Sequence, residues 1–311
     1  MPVSLPVGEQ IKSYETGALR ASYALTYSDT DHYYIGKDRD DATETNVAPA
    51  TLGIEHVLGL EYDLARGFTL VGEFPFVHTE QSREFGGVAG TMEASGLGDI
   101  RLLGRYWFRN EESGPRWYAA AGLRLPTGES DGQFTRQNGT KVTKDLAAQT
   151  GTGNAAGIVE LGGNAALASR LGAAFSARYV FTPSATSGNN FRHELTGMGP
   201  EKNSDSDAVV ARLSLISPFN IGESPLGRLS LSVSTDFAWI PYDDLFGDTI
   251  GFRRAGPIVA VGPALAWTPT DAMSLSAGVP FTVYRDVQQN GGNVQEWALQ
   301  LGLSYQVRTS R

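Results

Sequence analysis

No cysteine occurs in this sequence. Structural disulfides, thiol nucleophiles and Cys-ligated metals are therefore excluded, while the compartment stays open, because an oxidising environment permits disulfides without requiring them. Long hydrophobic runs are missing too. No stretch approaches the roughly 18 apolar residues that a spanning helix needs, and mean hydropathy is -0.21. Lysine is scarce, confined to Lys12, Lys37, Lys141, Lys144 and Lys202. Histidine is scarcer, at His32, His56, His78 and His193. The opening Met1-Pro2-Val3-Ser4-Leu5 has neither the basic start nor the apolar core of about 7–15 residues that an export signal carries.

What the chain does have is glycine and aromatics: 37 Gly, 14 Phe, 12 Tyr and 5 Trp in 311 residues. That profile suits strands and turns better than helices. Apolar and polar residues alternate from end to end. In Leu19, Ala21, Tyr23, Leu25 and Tyr27 the odd positions are apolar, and Arg20, Ser22 and Thr26 lie between them. Period two is the mark of a strand with two unlike faces. The same pattern predicts strands over 18–27, 52–64, 67–77, 96–108, 115–126, 156–167, 170–182, 207–217, 227–239, 256–268, 271–284 and 294–307. Each is long enough to cross a bilayer at a tilt, which takes about 9–11 residues.

The connections alternate long and short in strict order. Long ones cover 28–51, 78–95, 127–155, 183–206, 240–255 and 285–293, and the short ones include Ala65-Arg66, Ala168-Ser169 and Pro269-Thr270. Long extracellular loops, short periplasmic turns and an even strand count are the pattern of Gram-negative outer-membrane barrels. A soluble sandwich has no reason to keep that order. The expected fold is all-β, a transmembrane antiparallel β-barrel of about twelve strands over 18–307. A short N-terminal segment, 1–17, and a tail, 308–311, complete it, with both termini periplasmic. An outer-membrane barrel must be exported, so the chain reads as a mature form or one given a new start Met. Strand-end aromatics form two expected girdles, with Tyr62, Phe68, Trp107, Trp117, Trp267 and Tyr305 at one interface and Tyr27, Phe76, Phe181, Trp239, Phe281 and Trp297 at the other.

The net charge of -9 falls mostly on the long connections, above all on Asp29, Asp31, Asp38, Asp40, Asp41 and Glu44. Divalent-cation bridging to anionic lipopolysaccharide is one reading of this acidity, and a solvated loop surface is the other. The fixed spacing of a calcium loop is absent, and no two His fall at ligand spacing. No metal ligand set is assigned, and no cofactor is expected. An acidic chain without a basic, aromatic-studded face excludes nucleic acid as a partner. Oligomeric state is left open.

With the apolar phase facing lipid, the inner phase receives Arg20, Arg101, Arg105, Arg124, Arg178, Arg212 and Arg228. Facing them are Glu61, Asp63, Glu73, Asp99, Glu160, Asp236 and Glu296. Arginine's rigid fork pairs with carboxylates or anionic ligands in a bidentate way. Two readings compete. The charges form a ladder that fills and stiffens the barrel, or Arg101, Arg105, Arg124 and Arg178 line a constriction, held by Glu73, Asp99 and Glu160, through which a small solute passes. Under the first reading the barrel is a non-conducting scaffold or surface-interaction protein. Under the second it is a channel or porin for passive or selective uptake. Residues 127–155 could fold inward over its mouth.

Two motifs add a resemblance. Gly96-Leu97-Gly98-Asp99 is expected to open a strand, and Leu125-Pro126-Thr127-Gly128 closes the next. The pair resembles the outer-membrane transporter-like barrels of the "MetA-pathway of phenol degradation" family, related in architecture to fatty-acid and aromatic uptake channels. The resemblance implies uptake of small, often hydrophobic or aromatic compounds. Outer-membrane phospholipases of similar strand number carry a Ser two residues from a His. Here those positions hold Tyr34, Leu58, Glu80 and Leu195, and no enzyme is expected.

Overall fold

The computed structural model describes residues 14–41, 50–85, 88–110, 114–136, 139–189, 194, 197, 201–219, 228–250 and 255–308. Most of the N-terminal segment, His193 and several loop tips named above lie outside them. Twelve antiparallel strands close into one barrel. They are, in order, Ala18–Thr30, Ala50–Asp63, Phe68–Phe85, Arg101–Asn110, Arg116–Arg124, Ala156–Ala168, Leu171–Phe181, Ala208–Phe219, Leu229–Ile240, Gly256–Trp267, an eleventh in two pieces (Met273–Gly278 and Phe281–Arg285), and Trp297–Arg308. Each strand pairs with its sequence neighbour. The first closes on the last from Ala18↔Arg308 to Asp29↔Trp297, so the barrel has no open edge to satisfy.

Alternation dictates which way each side chain points. Leu70, Leu123, Leu161, Leu213 and Val233 are each more than half exposed on the outside, while their sequence neighbours turn into the lumen. A belt of this kind all round a closed wall would be an aggregation surface in water, but it is a solvent-matched surface in lipid. Inside, Val71, Leu103, Ala120, Ile158 and Val180 pack together beneath the third to seventh strands. Tight turns join strands at the opposite end from the long loops. In one, Arg66 at φ 60° and Gly67 at φ 83° reverse the chain between the second and third strands.

Two expectations need correction. The fourth strand starts at Arg101, because the third strand runs on to Phe85 and pairs above Phe76 with a separate return strand, Val88–Leu97. Pro75 has no N–H to give, its carbonyl accepts from Gly98 N at 2.8 Å, and residues 98–100 leave the ladder. Trp107 is not in a girdle. The parity that carries Arg101 and Arg105 inward carries Trp107 with them. It is buried in the lumen, its ring 5.0 Å from that of Tyr118.

Candidate functional site

The inner charges join into one chain of pairs across several strands. Arg20 on the first strand grips Asp63 at 2.6 and 2.8 Å and Glu61 at 3.0 Å on the second. Arg105 on the fourth reaches Glu61 at 2.9 Å, with its guanidinium carbon 4.5 Å from the centre of the Tyr118 ring. Tyr118 donates to Glu160 at 2.8 Å, and Arg178 donates to Glu160 at 2.7 Å. Arg178 also donates to both oxygens of Glu73, at 2.8 and 3.1 Å. Glu73 in turn receives Arg101 at 2.8 Å, whose other arm meets Glu55 at 3.1 Å. Such bidentate, charge-assisted bonds are the strong ones. They also explain how Arg101 and Arg124 tolerate being direct cross-strand partners: each guanidinium turns to a different acid.

Two links, one from this chain and one separate from it, cross the lumen. Arg178 on the seventh strand meets Glu73 on the third, and Arg212 on the eighth meets Gln300 on the twelfth at 3.1 Å while also pairing with Asp236. A cavity of about 120 Å³ remains beside this bar. Glu73, Arg101, Arg105, Glu160 and Arg178 line it, as do Ser22, Thr26, Ser176, Ser214 and Ser232. The lumen is therefore two-sided. The first to seventh strands carry most of the charges and the bulk, with the Arg212–Asp236 pair the exception on the eighth and ninth. The eighth to twelfth carry mainly Ser, Ala and Gly on the inner phase, as in Ser230, Ser232 and Ser234, then Ala260, Gly262 and Ala264, then Ser274, Ser276 and Gly278. Hydroxyls pair across strands there, Ser214 with Ser234 and Ser274 with Ser304, each at 2.7 Å. Attention to charged residues missed this small-residue wall. Its signal was present in the parity of those same strands.

Arg124 and Asp99 are outside the cavity lining. Arg124 meets Asp205 at 2.6 Å and Asp99 at 3.8 Å. Asp99 is buried under residues 127–155 and accepts from Gly128 N at 3.1 Å, Thr152 N at 2.9 Å and Thr152 Oγ1 at 2.7 Å. The two sequence motifs thus form one clasp. Thr127 Oγ1 donates to Gly98 O at 2.7 Å and accepts from Ile100 N at 3.0 Å, replacing the ladder that residues 98–100 abandon. Gly128 lies so close to Gly151 that a Cβ on it would come within 2.6 Å of the Gly151 Cα. Asn154, fully buried, accepts from Thr186 N and Ser187 N at 2.8 and 3.0 Å and donates to Asn203 O at 3.3 Å. The described parts of the long connections 127–155 and 183–206 are therefore knitted to each other and to the wall.

Arg228 and Glu296 are corrected likewise. Arg228 is half exposed beyond its strand and pairs with Asp271 at the short-turn rim. Glu296 sits above the barrel, taking a 2.6 Å bond from the Tyr34 hydroxyl and an ion pair from Arg285 at 3.5 Å. Burial, then that hydrogen bond, raises the Tyr34 phenol above its ordinary value against the pull of Arg285. Among the described residues no group of three or more His, Asp or Glu could hold a metal ion.

The same architecture occurs in the crystal structure of an outer membrane channel from Pseudomonas putida F1. The TM-score is 0.70 at 14% identity, over 98% of this chain and 100% of that one. The β domain of the Bordetella autotransporter BrkA gives 0.52 at 13% identity, over 94% and 100%. The translocator domain of the autotransporter NalP from Neisseria meningitidis gives 0.51 at 12%, over 94% and 89%. At such identities the likeness is one of fold. No family model matches the chain, and no curated protein sequence matches it significantly.

Proposed function

We propose that this barrel is an outer-membrane channel admitting small uncharged solutes along the small-residue wall. The observation that carries the reading is the cavity held between that wall and a bar of mutually neutralised charges. Arg101, Arg105 and Arg178 are engaged by Glu55, Glu61, Glu73 and Glu160, so they serve as a frame and offer little to an anion. The hydroxyls of Ser22, Ser214 and Ser232 are what a solute would meet. The P. putida F1 outer membrane channel shares the fold and supports the reading. So does the motif resemblance, whose finer implications we carry as proposals: kinship with the phenol-degradation transporter-like barrels, and solutes of aromatic or hydrophobic body. Loop and turn lengths favour periplasmic termini and long loops facing lipopolysaccharide.

Swelling of proteoliposomes in uncharged solutes of graded size is the direct test. The wild type should admit the smallest, and Ser232→Trp should return the rate to that of empty liposomes. A wild type as tight as empty liposomes would overturn the channel. It would favour the second reading, a sealed scaffold, for which the observation is that Arg178–Glu73 and Arg212–Gln300 both span the lumen.

A further inference from the structure

We infer that the connection after the ninth strand, residues 241–250, is a membrane-interface anchor that docks on the outer wall and inserts its apolar tip among the lipids of the leaflet on the long-loop side. This rests on the reading of the barrel as membrane-spanning. The tip is conspicuous for a surface loop. Leu245 is 64% exposed, Phe246 56% and Tyr242 50%, so three large apolar side chains stand out within five residues.

The loop's backbone is held firmly in the position that exposes them. The fully buried Asp207 carboxylate accepts from Leu245 N at 2.9 Å, Phe246 N at 3.1 Å and the Tyr179 hydroxyl. Asp244 accepts from Asp207 N at 2.9 Å in return. Ser204 donates to the carbonyls of Asp248 and Ile250 at 2.7 and 2.9 Å. Gly247, at φ 104°, lets the chain lie against the end of the seventh strand: a Cβ there would be 2.4 Å from Thr182 O. A segment so tied does not expose leucine and phenylalanine for want of order.

The direction of docking identifies the occupant. Phe246 packs edge-on against Phe181, ring centres 4.9 Å apart, and Phe181 stacks on Tyr179 at 5.5 Å. Both belong to the outward phase of the seventh strand, as do Phe175 and Leu171 below them. The loop tip therefore continues the lipid-facing belt upward and does not cover the mouth. Aromatic and aliphatic side chains at that height are suited to the boundary between headgroup and acyl chain.

The absence of native cysteine makes the test clean. A nitroxide is attached to Leu245→Cys in proteoliposomes, with Leu213→Cys in the belt and Glu201→Cys in the loops as references, and its collision rates with oxygen and a water-soluble nickel chelate are compared. The anchor predicts that the label at 245 favours oxygen, between the two references. A nickel accessibility equal to that at 201 overturns it. Dipolar broadening between labels at 245 also overturns it, because it would show a second copy covering the patch. If the label at 213 itself is nickel-accessible, the membrane reading fails, and the anchor fails with it.

Discussion

Arg178 and Glu73 face each other from the seventh and third strands, joined inside the barrel by bonds of 2.8 and 3.1 Å. A cylinder braced by a chord across its bore resists flattening, and the brace also sets how much of the bore stays open. Removing the arginine alone leaves Glu73 and Glu160 short of a partner in a confined space. Arg178→Ala should cost about 3–5 kcal/mol, read as a lower temperature for loss of heat-resistant compact migration in detergent gels. Where the barrel survives, planar bilayers should record a larger conductance than wild type. A smaller one would contradict the brace.

Charge balance predicts weak ion selectivity, since carboxylates and guanidiniums in the lumen neutralise each other pairwise. Glu73→Gln should move the reversal potential in a salt gradient toward anion preference, by unmasking Arg101 and Arg178 together. No shift would mean that ions do not pass near this site.

The clasp between Thr127 and the 98–100 segment carries a separate expectation. Thr127→Val keeps the shape but leaves Gly98 O and Ile100 N without their partner, a loss of about 1–3 kcal/mol. Faster proteolysis of residues 127–155 in the folded barrel would report it, with the swelling rate nearly unchanged.

Gly247→Ala forces a side chain into left-handed backbone and against Thr182 O. Strain of about 1–3 kcal/mol is expected, enough to loosen residues 241–250 without unfolding the strands. Hydrogen exchange at Leu245 N and Phe246 N should rise while exchange in the seventh strand holds.

Tyr34 yields a pH prediction. Its phenol is raised in the folded protein, so its contribution is fully present below the ordinary tyrosine range near pH 10 and is lost as pH rises through the raised value. Alkaline difference spectra of wild type against Tyr34→Phe should show one late-titrating phenol. Near pH 7 the variant loses about 1 kcal/mol with the bond to Glu296.

Much of the fold was legible because a barrel wall obeys a local rule. Each of the twelve strands overlaps its predicted span, since lipid outside and water inside impose period two on every one. The rule weakens where surroundings change. Above Phe76 the third strand keeps pairing, so alternation continued while the partner switched from the fourth strand to Val88–Leu97. Trp107 was misassigned because strand-end position was weighed above parity. The charges now found around the cavity were nominated from their inward phase, but which acid meets which base depends on closure. Nothing local pairs Arg178 with a residue 105 positions earlier. The fate of Asp99 was equally hidden, because its partners come from a connection whose path is set by buried polar bonds.

The two-sided lumen separates what holds the barrel up from what a solute would touch. Most of the arginine frame sits on one arc and most of the small inner residues on the other, where, Arg212 and Gln300 apart, the side chains are largely too short to brace anything. Solute preference can therefore drift over generations by exchanging one serine, alanine or glycine for another, each trial leaving the braces intact. Such a chain would diverge quickly in what it admits while its outline stayed the same.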